Sequence, residues 1–341
     1  MTTAGYPDLV TDLDIKFQGE MQVQMPDMVT KFYSLEPWTN GDPKKMTFQT
    51  YDLPAFGRRT GETQAAAKYS PVMGNQMEKE FFKYAMSTDW TLEMEKFDSQ
   101  AMRERMAKSF ASALTRNKEI ELTHQILTYA DTSNYQPMDQ VSTVDFNTPD
   151  ALPVGSASHT VPGRSGETFS NILANADPLS TDSLTSLIRQ LEKNTRNDYG
   201  TVVPVKYNML VIPDTHEMRK RAFEITGSDQ IPYEHSNTVN FYGKGNIGGH
   251  ALTIAALNYG ALDRNGEPAD GQGGRDNRQY YWGVFAEELL GANKYATGPG
   301  AGVEKVQSTL PNAMYGLMAY QFNCFAVTRW QGKGYSFATS L

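Results

Sequence analysis

The chain has 341 residues, 39% of them hydrophobic and 11% aromatic, with a net charge of −8, long enough for one large or two modest domains with a real core. Its 31 basic and 39 acidic residues leave no excess of positive charge to grip phosphates, which argues against a dedicated nucleic-acid binder. A single cysteine, Cys324, excludes a disulfide within the chain, and no run approaches the ~18 apolar residues of a membrane span.

Residues 1–45 read as an arm. Pro7, Pro26, Pro37 and Pro43 interrupt it and its apolar residues are sparse. Met1–Val10 carries Asp8 and no apolar stretch, so it does not read as a signal peptide, and the expected place of synthesis is a cytoplasm. A short helix near Met25–Tyr33 fits, with Pro26 in the first turn. Otherwise the arm lacks the apolar surface for a core. Extended, it could reach about 150 Å at most. The expectation is an arm laid on a neighbouring molecule.

Residues 46–90 read as a long hairpin. Met46–Leu53 is strand-like, the tip Phe56–Glu62 is charged and glycine-containing, and the return runs through Ala65–Tyr69 and Met77–Trp90. Two strands alone are marginal in water, so this hairpin needs a partner surface. Residues 98–130 carry the clearest helix. Asp98 or Ser99 would cap it, and Met102, Met106, Phe110, Ala113, Leu114, Ile120 and Leu127 form one apolar face.

Thr132–Asn171 is loop-rich. Leu179–Asn194 is a second helix, capped by Ser180 or Thr181, with Leu184, Leu187, Ile188 and Leu191 inward. Val202–Lys206 and Met209–Ile212 read as short strands, and a third helix runs from Pro213-Asp214 to Ile225. Ala251–Leu257 and Tyr280–Ala286 read as strands around a polar, glycine-rich loop, Asn258–Arg278. Loops of that length usually carry function. Met314–Trp330 is a long apolar final strand, and Cys324 within it reads as buried.

The residues that could carry chemistry lack the context it requires. Gly243–Gly248 fits G-x-G-x-x-G with Asp263 about 20 residues on. A dinucleotide loop must open a helix, and a strand follows here. His124, His159, His216, His235 and His250 have no metal-ligand spacing. Ser156, Ser158 and His159 suggest a nucleophile and base but sit in no G-x-S-x-G elbow. Arg219, Lys220 and Arg221 read as a solvated helix face, and Glu287-Glu288 as a solvated strand end. No catalytic, cofactor or metal residue is expected, and the chain does not read as an enzyme.

The order of parts resembles the major capsid proteins of tailed bacteriophages, the Hong Kong 97-type fold. Lys83-Tyr84-Ala85, then Trp90-Thr91-Leu92-Glu93 and Phe97-Asp98, look like that family's hairpin exit into its spine helix. Ser156-Ala157-Ser158-His159, Phe169-Ser170-Asn171 and Leu179-Ser180 are similar to the run after the spine helix in Mu-type head proteins. Leu210-Val211-Ile212-Pro213 resembles the family's axial-domain strand, and Asn237-Thr238-Val239-Asn240 before a glycine-rich turn fits as well. The resemblance covers roughly residues 46–341.

It implies an α+β fold in five parts: an arm (1–45), an extended loop or E-loop (46–90), a peripheral domain (91–177) with spine helix 98–130, an axial domain (178–312), and a C-terminal strand (313–341) returning to the peripheral domain. It implies self-assembly into hexamers and pentamers of an icosahedral virion shell holding double-stranded DNA without sequence-specific binding. Scaffold, portal and decoration proteins are the implied partners; no membrane and no cofactor are expected. Arg58, Arg59, Glu62 and Lys68 are the candidate intersubunit contacts. Covalent cross-linking between Lys68 and an Asn323 is not expected, because no acid can be placed beside them. The alternatives are an encapsulin-like nanocompartment shell and, from another class, a nucleotide-dependent oxidoreductase.

Overall fold

The computed structural model describes residues 9–24, 26–38, 44–52, 68, 72–91, 100–137, 142–161, 166–197, 200–227, 242, 251–308, 310 and 313–341. In chain order the elements begin with α1 (Leu9–Val23), α2 (Asp27–Phe32), β1 (Ser34–Glu36), β2 (Lys45–Asp52), β3 (Val72–Glu80) and β4 (Phe82–Thr91). The long helix α3 (Gln100–Thr123) follows, then β5 (Asn134–Tyr135), β6 (Val144–Asp145), β7 (His159–Thr160) and β8 (Thr168–Phe169). Next come α4 (Thr181–Asn194), β9 (Met209–Pro213), α5 (His216–Gly227), β10 (Thr253–Leu257) and β11 (Trp282–Phe285). The chain closes with β12 (Asn293–Val306), β13 (Ala313–Val327) and β14 (Lys333–Ser336). These form two compact units, each assembled from separated stretches of sequence.

The first unit comprises residues 1–46, 78–119 and 295–325. Its sheet has the order β1-β12-β13-β4. β4 and β13 run antiparallel, with Phe82 opposite Asn323 and Trp90 opposite Tyr315. The core joins Leu13, Phe17 and Met21 of α1 to Ala107, Phe110, Ala111 and Leu114 of α3. Tyr84, Trp90, Val303, Leu317 and Ala319 complete it from the sheet. For α1 this corrects the expectation of an arm without a core. Leu13, Phe17 and Met21 recur every four residues, so they share one helix face, and that face is buried on the chain's own sheet and helix. Between Leu13 and Met21 the helix also carries Asp14, Lys16, Gln18, Gly19 and Glu20, which left the stripe too thin to read.

The second unit comprises residues 47–77, 120–294 and 326–341. Its sheet has the order β10-β9-β11-β14. β10 and β9 are parallel, and β11 runs antiparallel to β9 and β14. The side chains of Leu184, Leu187, Ile188 and Leu191 of α4 pack with Leu210, Ile212, Trp282 and Val284. Ser180 caps α4: its Oγ accepts from the Ser183 N–H at 3.1 Å, and Ser183 Oγ accepts from the Ser180 N–H at 3.0 Å. Helix and sheet approach closely enough that a Cβ on Gly334 would collide with the Leu191 side chain.

Other differences from the sequence reading have local causes. The expected helix 98–130 is α-helical to Thr123 and then π-helical over His124–Thr128; its expected caps, Asp98 and Ser99, lie outside the described residues. The expected hairpin return Met77–Trp90 divides into two strands. β3 pairs with β2, while β4 belongs to the four-stranded sheet of the first unit. Val202–Lys206 is not a strand; Val202 makes one bridge, to Arg196. β12 was unforeseen because Ala296–Gly302 reads as a glycine-rich loop, and β14 because it is only four residues long.

Candidate assembly surfaces

Among the described residues β2 and β3 form a two-stranded sheet joined to neither four-stranded sheet. Near its base Lys45 Nζ lies 3.8 Å from Glu78 Oε2, both largely exposed, a pair worth about 0–1 kcal/mol. Phe48 and Met77 are buried, so this ribbon has apolar anchoring on each strand. Of the candidate contact residues, Lys68 is exposed. Arg58, Arg59 and Glu62 lie outside the described residues, as does the tip Phe56–Glu62.

In the first unit, helix α1 is held by specific polar contacts. Asp14 Oδ1 accepts from the Val303 N–H at 2.8 Å, tying α1 to β12. Asp12 takes hydrogen bonds from Lys16 at 3.1 Å and Arg103 at 3.4 Å. Burial acts to raise the Asp12 carboxyl, but the two cations outweigh it and hold the group below the usual carboxylate range. Glu119 accepts from the Met28 N–H at 3.2 Å, fixing the start of α2 to α3. Burial pushes the Glu119 carboxyl up to about 7 against that hydrogen bond. Neither Asp14 nor Glu119 carries any sequence signal, since a surface-type carboxylate on a helix is ordinary.

The outer side chains of this unit include Lys83, whose Nζ sits 4.9 Å from the centroid of the Tyr320 ring, and Tyr320, whose hydroxyl donates to Glu304 at 2.8 Å. Ile15, Leu35 and Met86 are exposed. Single exposed apolar side chains are common on any surface and do not by themselves mark an interface.

In the second unit the loop expected at Asn258–Arg278 has a locked root and an open tip. Asp263 is buried and accepts from the N–H groups of Asn265 and Glu267 at 2.8 and 2.9 Å. Arg278 pairs with Asp131, donates to the Thr128 carbonyl at 3.0 Å and lies 4.3 Å from the Tyr129 ring centroid. Tyr129 in turn donates to Asp276 at 2.7 Å. At the tip Gly271, Gly273 and Gly274 take positive φ, which a side chain would resist, and the tip is exposed.

The residues screened for catalysis are otherwise engaged. His159 Nδ1 faces Asp150 Oδ2 at 2.8 Å, and its Nε2 faces the Val154 carbonyl at 3.1 Å. The imidazole stacks on Trp330 at 4.5 Å and 7°. Neither ring nitrogen is directed at Ser156, whose Oγ accepts from the Ser158 N–H. His124 donates from Nε2 to the Leu262 carbonyl at 3.0 Å and accepts from Tyr135 at 2.6 Å; burial drives it down to about 3, the neutral ring.

Asp263, the would-be ribose acid, is consumed by its own loop, while Gly243–Gly248, Asn237–Asn240, His235 and His250 lie outside the described residues. Cys324 is fully buried, and burial pushes its thiol up to about 12. Asn323 is fully buried and accepts from Tyr295 at 2.7 Å, so it offers no surface acceptor for a cross-link.

Arg219 pairs with Asp214 and Lys220 with Glu224 on the solvated face expected of that triplet, whereas Arg221 is half-buried, pairs with Glu224 and donates from Nε to the Leu179 carbonyl at 3.0 Å. Glu287 and Glu288, expected at a strand end, instead open a 3-10 turn and bond Asn208 and the Lys206 N–H. Among the described residues no group of three or more His, Cys, Asp or Glu is placed to hold a metal, and no helix is long and apolar enough to cross a membrane.

No family model and no curated protein sequence matches the chain. Loose structural likenesses span nearly all of it. A virus-like particle from Pyrococcus furiosus is 8% identical, with a TM-score of 0.45, over 96% of this chain and 99% of the other. The capsid of Cyanophage P-SCSP1u is 13% identical, with a TM-score of 0.48, over 91% and 87%. A structure from Gordonia phage Cozz is 11% identical, with a TM-score of 0.47, over 93% and 87%.

Proposed function

We propose that this chain is the major capsid subunit of a tailed bacteriophage, assembling as hexamers and pentamers into an icosahedral shell around double-stranded DNA. The observation that carries the reading is the hairpin. Among the described residues β2 and β3 pair with each other and join neither four-stranded sheet, and a ribbon of two strands is marginal alone. Phe48 and Met77 anchor it on its own chain, and a surface on a second copy would cover the rest of the ribbon. The rest of the chain has the parts such a subunit uses in that order: a 24-residue helix, a mixed α/β unit, and a 15-residue strand that returns to pair with β4.

In this reading β2–β3 is the E-loop, α3 the spine of the peripheral domain, and the unit around β9 and β11 holds the axial domain. Arg58, Arg59, Glu62 and Lys68 make intersubunit ion pairs. At about 0–1 kcal/mol each they set register more than strength, while repeated contacts with several neighbours supply avidity. The exposed loop tip at Gly271–Gly274 serves the capsomer axis. Scaffold, portal and decoration proteins are the partners, assembly takes place in the bacterial cytoplasm, and DNA is confined by an acidic chain that does not grip it. The role is structural, not enzymatic.

Deleting residues 55–66 tests this. The expected variant is soluble and folded by circular dichroism but builds no stable shells by sedimentation. Normal closed particles from the same variant overturn the hairpin's role.

A further inference from the structure

The first unit contains a cavity of about 390 Å³. Its β12 wall is Tyr295 followed by the small residues Thr297, Gly298, Gly300 and Ala301. Lys118 of α3 and Gln321 of β13 form another part of the lining. Lys118 is 2% exposed, and its Nζ donates to Gln321 Oε1 at 2.6 Å. An ammonium has three donors, and the partner seen here is a neutral amide. Among the described residues no carboxylate pairs with Lys118. Buried charges are ordinarily paired, because an isolated one is costly to take out of water. Gln22, on the same lining, adds a side-chain amide.

We infer that this cavity is a binding site for a carboxylate, one oxygen taken by the Lys118 ammonium and the other by the neighbouring amide groups. Among the described residues the lining offers one cation and otherwise neutral groups, which suits a monoanion better than a phosphate dianion. Burial alone pulls the Lys118 ammonium down to about 8, and a bound carboxylate would reverse that. The carboxylate has two conceivable sources: a small free anion, or an acidic side chain of a second copy of this chain.

The test follows the Lys118 ¹³Cε and Gln321 side-chain amide signals by NMR in two arms. Sodium acetate is titrated into dispersed native subunit against sodium chloride at constant ionic strength, and the same signals are compared between dispersed and assembled protein with no acetate. A saturable acetate shift, lost in Lys118→Met and Lys118→Gln, supports the site with a free carboxylate as its ligand. A Lys118 shift on assembly alone supports it with a neighbour's acidic side chain. No response in either arm, or an acetate response of Gln321 that persists in both variants, overturns it. The acetate arm uses dispersed protein, so a chain that builds no shell still leaves the site open to this test.

Discussion

In the unit built around β9 and β11, the core residues run from Val161 to Trp330 and gather on α4 and one mixed sheet. In the unit built around β13, the core takes Leu13, Phe17 and Met21 from one end of the chain, Trp90 and Phe110 from its first third, and Val303, Leu317 and Ala319 from its last part. The first arrangement rests mainly on elements with strong periodic faces. The second depends on three distant stretches meeting, and its keystone is a helix with only a thin apolar stripe. Stability in the second therefore hinges on few side chains, and that contrast can be tested.

The largest effect is expected at Phe17, fully buried in the β13 unit. Phe17→Ala should cost about 3–5 kcal/mol, and hydrogen exchange should accelerate in β4 and β13 while β9 and β11 keep their protection. Equal acceleration in both sheets would erase the contrast. Leu187→Ala, in the other core, should cost about 2–5 kcal/mol and show the opposite exchange pattern. Ser180→Ala removes the α4 cap and should cost about 0.5–2 kcal/mol, read as a lower midpoint in urea.

A subtler effect concerns acid. Burial acts to raise the Asp150 carboxyl, yet hydrogen bonds from His159, Thr148 and the Thr160 N–H hold it below its ordinary 3.8. The unfolded chain then takes up that proton more readily than the folded one. The contribution is therefore present above 3.8 and fades as pH falls through the lower folded value. Asp150→Asn should flatten the acid limb of the stability curve for the β9 unit, whereas an unchanged limb would remove Asp150 from the account. At the small end, Lys220→Ala breaks an exposed pair with Glu224 and should shift stability by no more than about 0.5 kcal/mol.

The same contrast decides what could be read from the sequence. Helix α4 was legible because Ser180 marks its start and Leu184, Leu187, Ile188 and Leu191 repeat the helical period. The long helix was legible from Phe110 and Leu114, but its π-helical end was not, since no residue type announces a widened turn. β2, β9, β10, β11 and β13 were found within a few residues of their ends. Helix α1 was missed because its partners lie on distant stretches of the chain, in α3, β4, β12 and β13, so burial of Phe17 is a tertiary fact. β12 was missed because Thr297-Gly298-Pro299-Gly300 reads as a turn, and only pairing with β1 and β13 makes it a strand. Among candidate contacts, Lys68 came from the hairpin's charge and is exposed. Lys118 could not be picked out, because a lysine on an amphipathic helix reads as solvent-facing.

The most direct measurement is negative-stain electron microscopy of the full-length protein, expressed in a bacterial cytoplasm alone and together with a scaffold protein. Closed shells of uniform diameter are predicted. A small, monodisperse oligomer that persists at high concentration in both preparations would contradict the shell-building role.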